Sequence, residues 1–177
     1  MISTKTGEFQ FDNSELVFGP QLTLTQFKES RLRATIGRAN AEFTTWLFTG
    51  TIAGLSAECA AVFSSERLCS LCLADASVLT LYDDYRFAVD DARRRCPGSE
   101  VEVINRWGDR LLAAEEARAL RHGRWVQALT GHAPPCTYAW GTIDVADDMH
   151  SHVSQIWINF ASSPTSRTSR KGVSPHY

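Results

Sequence analysis

Tyr138-Ala-Trp-Gly-Thr-Ile-Asp-Val145, answered after a polar loop by Val153-Ser-Gln-Ile-Trp-Ile-Asn-Phe160, is the stretch from which the fold is read. Both halves alternate apolar and polar residues, and the connection Ala146-Asp-Asp-Met-His-Ser-His152 is polar. That pattern predicts an antiparallel hairpin. Ile143, Val145, Ile156, Ile158 and Phe160 fall on one parity, and Tyr138, Trp140 and Trp157 on the other. A hairpin that is apolar on both sides requires cover on both, from a core on one face and a helix or partner on the other.

Working outward from this hairpin, three further runs read as strands. Phe43 to Ile52 is dense in Thr and aromatics, Cys59 to Phe63 follows the Gly54 break, and Leu68 to Leu73 follows the Ser64-Ser-Glu-Arg67 turn. Short connections between them predict an antiparallel meander. Glu8 to Phe11 and Leu16 to Phe18, separated by Asp12-Asn-Ser14, predict a short opening hairpin that Gly19-Pro20 ends. Thr23 then offers an N-cap, Gln26 completes a capping box, and Leu22 with Phe27 supplies a hydrophobic staple, so a short helix runs from there to about Arg31. A longer helix is predicted from Asp109 to Thr130, closed by Gly131 with Pro134-Pro135 beyond. Arg118 and His122 interrupt its apolar stripe, and Gly123 is a place for it to bend. Between Asp75 and Asn105 the pattern is irregular. The sum is an α+β domain: an antiparallel β-sheet of about six or seven strands, with one long helix and one short N-terminal helix packed on it.

Length and composition fit one domain over residues 1–160, followed by a disordered basic Ser/Thr-rich tail over 161–177. The apolar fraction is 44%, ample for a core. Net charge is −2, but Arg167, Arg170 and Lys171 in the tail face no acid there, so the body holds 15 basic against 20 acidic residues. That balance excludes a general nucleic-acid binder and suits a protein that meets a basic partner. Met1 to Gly19 lacks a basic start followed by an apolar run, and no stretch reaches the ~20 apolar residues of a membrane span, so the expected location is cytoplasmic. Five cysteines, an odd number, read as reduced thiols that fill core space, and the five tryptophans read as packing residues.

Side chains with chemical potential are few. Cys69-x-x-Cys72 sits on a predicted strand, where residues three apart point to opposite faces and cannot grip one metal. His150 and His152 with Asp144, Asp147 and Asp148 form the one metal-like cluster; a solvated hairpin loop is the simpler reading, and no metal or other cofactor is expected. A small metal-dependent enzyme using the Asp144–His152 loop is the alternative. Cys136 with His132 nearby imitates a Cys/His pair only by sequence adjacency. No Gly-x-Ser-x-Gly elbow, phosphate-cradling loop or His-Glu-x-x-His motif occurs. Glu115-Glu116 reads as a wet helix face. Tyr82-Asp-Asp-Tyr85 interleaves aromatic and acidic groups, the mixture that recognises a basic partner. The expected contact residues are therefore Tyr82, Asp83, Asp84 and Tyr85, with Asp147 and Asp148 second. A homodimer burying a Trp140/Trp157 face is a further expectation.

Several fragments, taken in order, carry a likeness. They are Val17-Phe-Gly-Pro-Gln-Leu-Thr-Leu-Thr-Gln-Phe27, Ile52-Ala-Gly-Leu55, Arg67-Leu-Cys-Ser-Leu-Cys-Leu73, His122-Gly-Arg-Trp-Val-Gln-Ala-Leu129 with Gly131, Trp140-Gly-Thr-Ile143 and Ile156-Trp-Ile158. This layout resembles small bacterial cytosolic proteins, some of which are regarded as immunity proteins of polymorphic or contact-delivered toxin systems. The resemblance runs from Phe11 to Phe160 and rests on fold-forming positions. It implies a non-enzymatic protein whose partner is a cognate toxin, blocked at its active site. The chain departs from the group at Val145-Ala-Asp-Asp-Met-His-Ser-His152 and in a longer Asp75–Asn105 segment, and no functional residue is carried over.

Overall fold

The computed structural model describes residues 1–76, 94, 100–147 and 154–161, with the main chain alone at 100, 102–104, 106–111 and 147. Its elements are β1 (Phe9–Gln10), β2 (Val17–Phe18), α1 (Leu24–Glu29), β3 (Thr35–Ala39), β4 (Phe43–Ile52), β5 (Leu55–Ser64), β6 (Arg67–Asp75), α2 (Glu100–Thr130), β7 (Cys136–Tyr138), β8 (Gly141–Asp147) and β9 (Ser154–Phe160). Among the described residues, seven strands form one antiparallel sheet in the order β3-β4-β5-β6-β9-β8-β7, and β1 and β2 form a small hairpin. The α+β class and the strand number expected from the sequence hold.

The expected meander is β4-β5-β6, with Phe48 opposite Cys59 and Cys59 opposite Leu73. Ala53 and Gly54, both at positive φ, make the first turn, and Ser65 makes the second. β9 then pairs beside β6, with Leu71 opposite Ile158 and Leu73 opposite Ile156. The hairpin read at the outset is β8-β9, which places Ile143 against Ile158.

Its parity needs one correction. Tyr138 is not on the same strand as Ile143: it ends β7, and Trp140 lies in the tight turn that leads into β8. Trp140 therefore folds inward, stacked on Tyr138 at 5.1 Å and tilted against Phe160. Its indole N–H donates to the Thr4 carbonyl, and Gly7 lies so close that an added Cβ would meet the ring at 2.5 Å. Trp140 is buried while Trp157 is half-buried on the other side, so no shared Trp140/Trp157 face exists.

One face of the sheet carries the core. Phe48, Ile52, Ala57, Cys59, Ala61, Phe63, Leu71, Leu73, Ile143, Ile156 and Ile158 alternate inward along their strands and are buried. Two covers divide that face. Over β4 and β5 lie the N-terminal hairpin and α1, which bring Phe9, Phe11, Phe18 and Phe27 into an aromatic cluster with Phe48 and Phe63. Gly50 matters here, because the Phe11 ring occupies the space a side chain would need. Over β8 and β9 lies α2, whose Trp125, Val126 and Leu129 join the same core.

Both helices follow from their ends. The Thr23 hydroxyl accepts from the Gln26 N–H while the Gln26 side chain accepts from the Thr23 N–H, the reciprocal cap expected from the sequence. α2 ends where Gly131 takes a φ of 82° and its N–H returns to the Gln127 carbonyl. The helix is longer than expected, beginning at Glu100, and it runs through Gly123 without a break. No Pro interrupts Glu100 to Thr130, so once tertiary cover exists the weak formers in its first turns continue the helix.

Candidate functional site

Glu115, Arg118 and His122 recur at helical spacing on α2, in line with Trp125, Val126 and Leu129. They are buried, at 8%, 5% and 1% exposure, so the face that carries the core continues N-terminally as a polar stripe. Glu115 is thus not part of a wet helix face; its neighbour Glu116 is exposed. A buried carboxylate is tolerated only when paired and hydrogen-bonded, and both conditions are met. One oxygen lies 3.3 Å from the Arg118 guanidinium, and the other accepts the Ser154 main-chain N–H at 2.9 Å.

His122 completes the connection. Its Nε2 accepts the Asp75 main-chain N–H at 3.1 Å, and its Nδ1 lies 3.1 Å from the Ser154 hydroxyl. Because Nε2 faces a donor, the ring proton sits on Nδ1 and is donated to Ser154 Oγ. Burial is the leading cause that lowers the His122 pKa to about 4; Asp75 opposes that shift, while Arg118 and Arg121 reinforce it. The ring is therefore neutral near pH 7. Outside this group, Arg121 bridges to the Asp75 carboxylate at 3.2 Å. Asp75 ends β6 and Ser154 begins β9, so the cluster clasps the ends of two paired strands to the middle of α2.

Serine, histidine and carboxylates together invite comparison with a nucleophilic triad. In a working triad the ring nitrogen facing the serine must be unprotonated, with the other nitrogen donating to a carboxylate. Here both relations are reversed. Ser154 is also fully buried, and a cleft of about 330 Å³ beside the cluster, lined by Leu55, Arg121, Arg124, Trp125 and Ala128 along with Asp75 and His122, does not reach it. The cluster holds structure together.

The opposite face of the sheet is built from small and mixed side chains. Leu47, Ala60, Cys72 and Trp157 form one row across β4, β5, β6 and β9, and Thr49, Glu58 and Ala74 form the next, with Gln155 of β9 lining the same groove. A groove of about 450 Å³ follows these rows, with Arg33 and Thr35 at its β3 side. The Cys72 thiol contacts Gln155 Oε1 at 2.8 Å, and the Cys69 thiol contacts the Val62 carbonyl. Burial pushes the Cys59 and Cys69 thiols up from their ordinary pKa, so neither is a ready nucleophile.

Of the residues expected to make contacts, Tyr82, Asp83, Asp84, Tyr85 and Asp148 lie outside the described residues, as do His150 and His152. Asp147 closes β8 opposite Ser154. Asp144 is exposed and its carboxylate accepts from the Val145 N–H. The Cys136 thiol meets the carbonyls of Ala133 and His132 rather than an imidazole. Among the described residues no group of three or more His, Cys, Asp or Glu side chains is placed to hold a metal ion. No helix among them is long and apolar enough to cross a membrane.

Glu115, His122 and Ser154 were not foreseen as a unit. The available signal was the interruption of the helical stripe at Arg118 and His122: polar groups on a core-facing stripe must find each other or a main-chain partner. Comparison with known proteins brings no match: no family model, no curated protein and no solved structure matches this chain.

Proposed function

We propose that the protein is a non-enzymatic binding protein, a cytoplasmic immunity protein that neutralises a cognate bacterial toxin by occluding its active site. The observation that carries this reading is the sealed clasp. The serine–histidine–carboxylate grouping that most resembles catalytic machinery among the described residues is buried and wired with its proton on the wrong nitrogen. Its chemistry is spent on joining helix to sheet, which leaves the exterior to do the work. An acidic body, at −5 without its tail, suits a basic toxin cleft, with long-range attraction raising the rate of encounter and buried aromatics supplying affinity. Tyr82, Asp83, Asp84 and Tyr85 are the proposed first contact, with Asp147 and Asp148 second.

Co-expression with the product of the neighbouring gene tests this. Growth arrest by that product alone, relief on co-expression, and co-purification of the two chains are the expected results. A neighbour that is neither toxic nor bound would overturn the proposal.

A further inference from the structure

β3 is an open edge. Thr35 to Ala39 are all exposed, and among the described residues the strand pairs only with β4. The other edge of the sheet, β7, has three residues, follows Pro134-Pro135, and keeps Cys136 buried and Tyr138 half-buried. The two edges therefore differ in kind: one is short and proline-flanked, the other presents a strand's length of main chain to solvent.

The side chains along β3 are sorted by face. In the lead-in, Leu32 and Ala34 pack against the core while Arg31 and Arg33 point out. Thr35 stands opposite Leu47, on the face away from the core, and beyond a bulge Arg38 returns to that face opposite Thr45. Ile36 stands opposite Trp46 on the core-side face, yet it is 61% exposed, with no described strand beyond it at the edge. Ser30 to Ala41 holds three arginines and no acid, within a body whose balance is acidic. Among the described residues none of the three arginines is ion-paired.

We propose that the β3 edge receives an extended segment of a partner protein as an added strand, and that this segment alternates acidic with β-branched apolar residues. Main-chain hydrogen bonds to β3 supply the attachment. Carboxylates on the outer face meet Arg33 and Arg38, and an apolar residue of opposite parity covers Ile36. A second copy of this chain is the wrong occupant: pairing β3 with itself sets arginine rows of like charge side by side. The bulge and the arginines that keep two copies apart are thus the same features that select an acidic strand. The residues invoked here are other than Tyr82 to Tyr85, and the inference stands whether or not the partner is a toxin.

The probe is a synthetic peptide of about six residues alternating Glu with Val, a typical strand length. Three controls accompany it: Lys in place of Glu, a central Pro, and the Arg33→Glu/Arg38→Glu protein. Binding by fluorescence anisotropy, with slowed amide hydrogen exchange confined to 35–39 and the β3–β4 pair, is expected. Affinity should drop at least about tenfold with the Pro peptide and with the charge-reversed protein, and the Lys peptide should bind that protein in its place. The two substitutions are on exposed side chains, and unchanged circular dichroism confirms the fold. Equal binding of the Pro peptide, protection elsewhere, self-association through β3, or no binding of the Glu-Val peptide would each overturn the inference.

Discussion

At His122 one neutral ring makes two hydrogen bonds of opposite sense, accepting from the Asp75 main chain and donating to Ser154. Such a ring cannot take a second proton without losing the Asp75 contact, which is why a buried histidine here behaves as a stability element that acid removes. Its folded-state pKa is lowered to about 4 from an ordinary 6.5, so protons bind the unfolded chain more readily. The stability contributed by neutral His122 is complete above pH 6.5 and is lost as the pH falls toward 4. His122→Ala is expected to cost about 2 kcal/mol near neutral pH, since it strands the part-buried Asp75 N–H and the buried Ser154 hydroxyl. In urea denaturation series the gap between wild type and this variant should narrow across that pH interval. A gap that stays constant would contradict the assignment.

The helix–sheet junction shows the same logic at the scale of elements, where two adjacent glutamates on α2 have opposite fates. Glu115 lies under β9, holding the Ser154 N–H and Arg118, whereas Glu116 is in solvent. Glu115→Ala leaves Arg118 buried beside an unanswered N–H and is expected to destabilise by about 3 kcal/mol; Glu116→Ala should fall within about 0.5 kcal/mol of wild type. Thermal or chemical melts of the pair check this, and equal effects would show that the junction is not what holds α2 in place.

These elements were legible in the sequence to different degrees. β4, β5, β6, β8 and β9 announced themselves by alternation and turn residues, and α1 by its cap, because those signals are local. β3 was silent: Thr-Ile-Gly-Arg-Ala lacks a buried face, and its pairing is dictated by β4 rather than by its own pattern. Trp140 was assigned to the wrong side because its strand was extended through what is a turn. The clasp was visible only as interruptions at Arg118 and His122, since its other partners lie on strands distant in sequence. Tyr82 to Tyr85, the expected contact, lies outside the described residues.

At the scale of the whole molecule, the described residues bury the Glu115–His122–Ser154 cluster and expose the β3 edge. The core face is covered by α2 and the N-terminal aromatic cluster, while Ile36, Phe43 and Leu47 stand exposed on β3 and β4 and Val101, Leu112 and Leu120 on α2. The proposed function requires stoichiometric contact. The most direct measurement is a titration of the cognate toxin's activity with purified chain, wild type beside Ser154→Ala. The account predicts complete inhibition at one chain per toxin, reached without further change over time, and the same endpoint for the variant, whose Glu115 contact uses only the main chain. Progressive inactivation at substoichiometric amounts, abolished by Ser154→Ala in a folded protein, would contradict it.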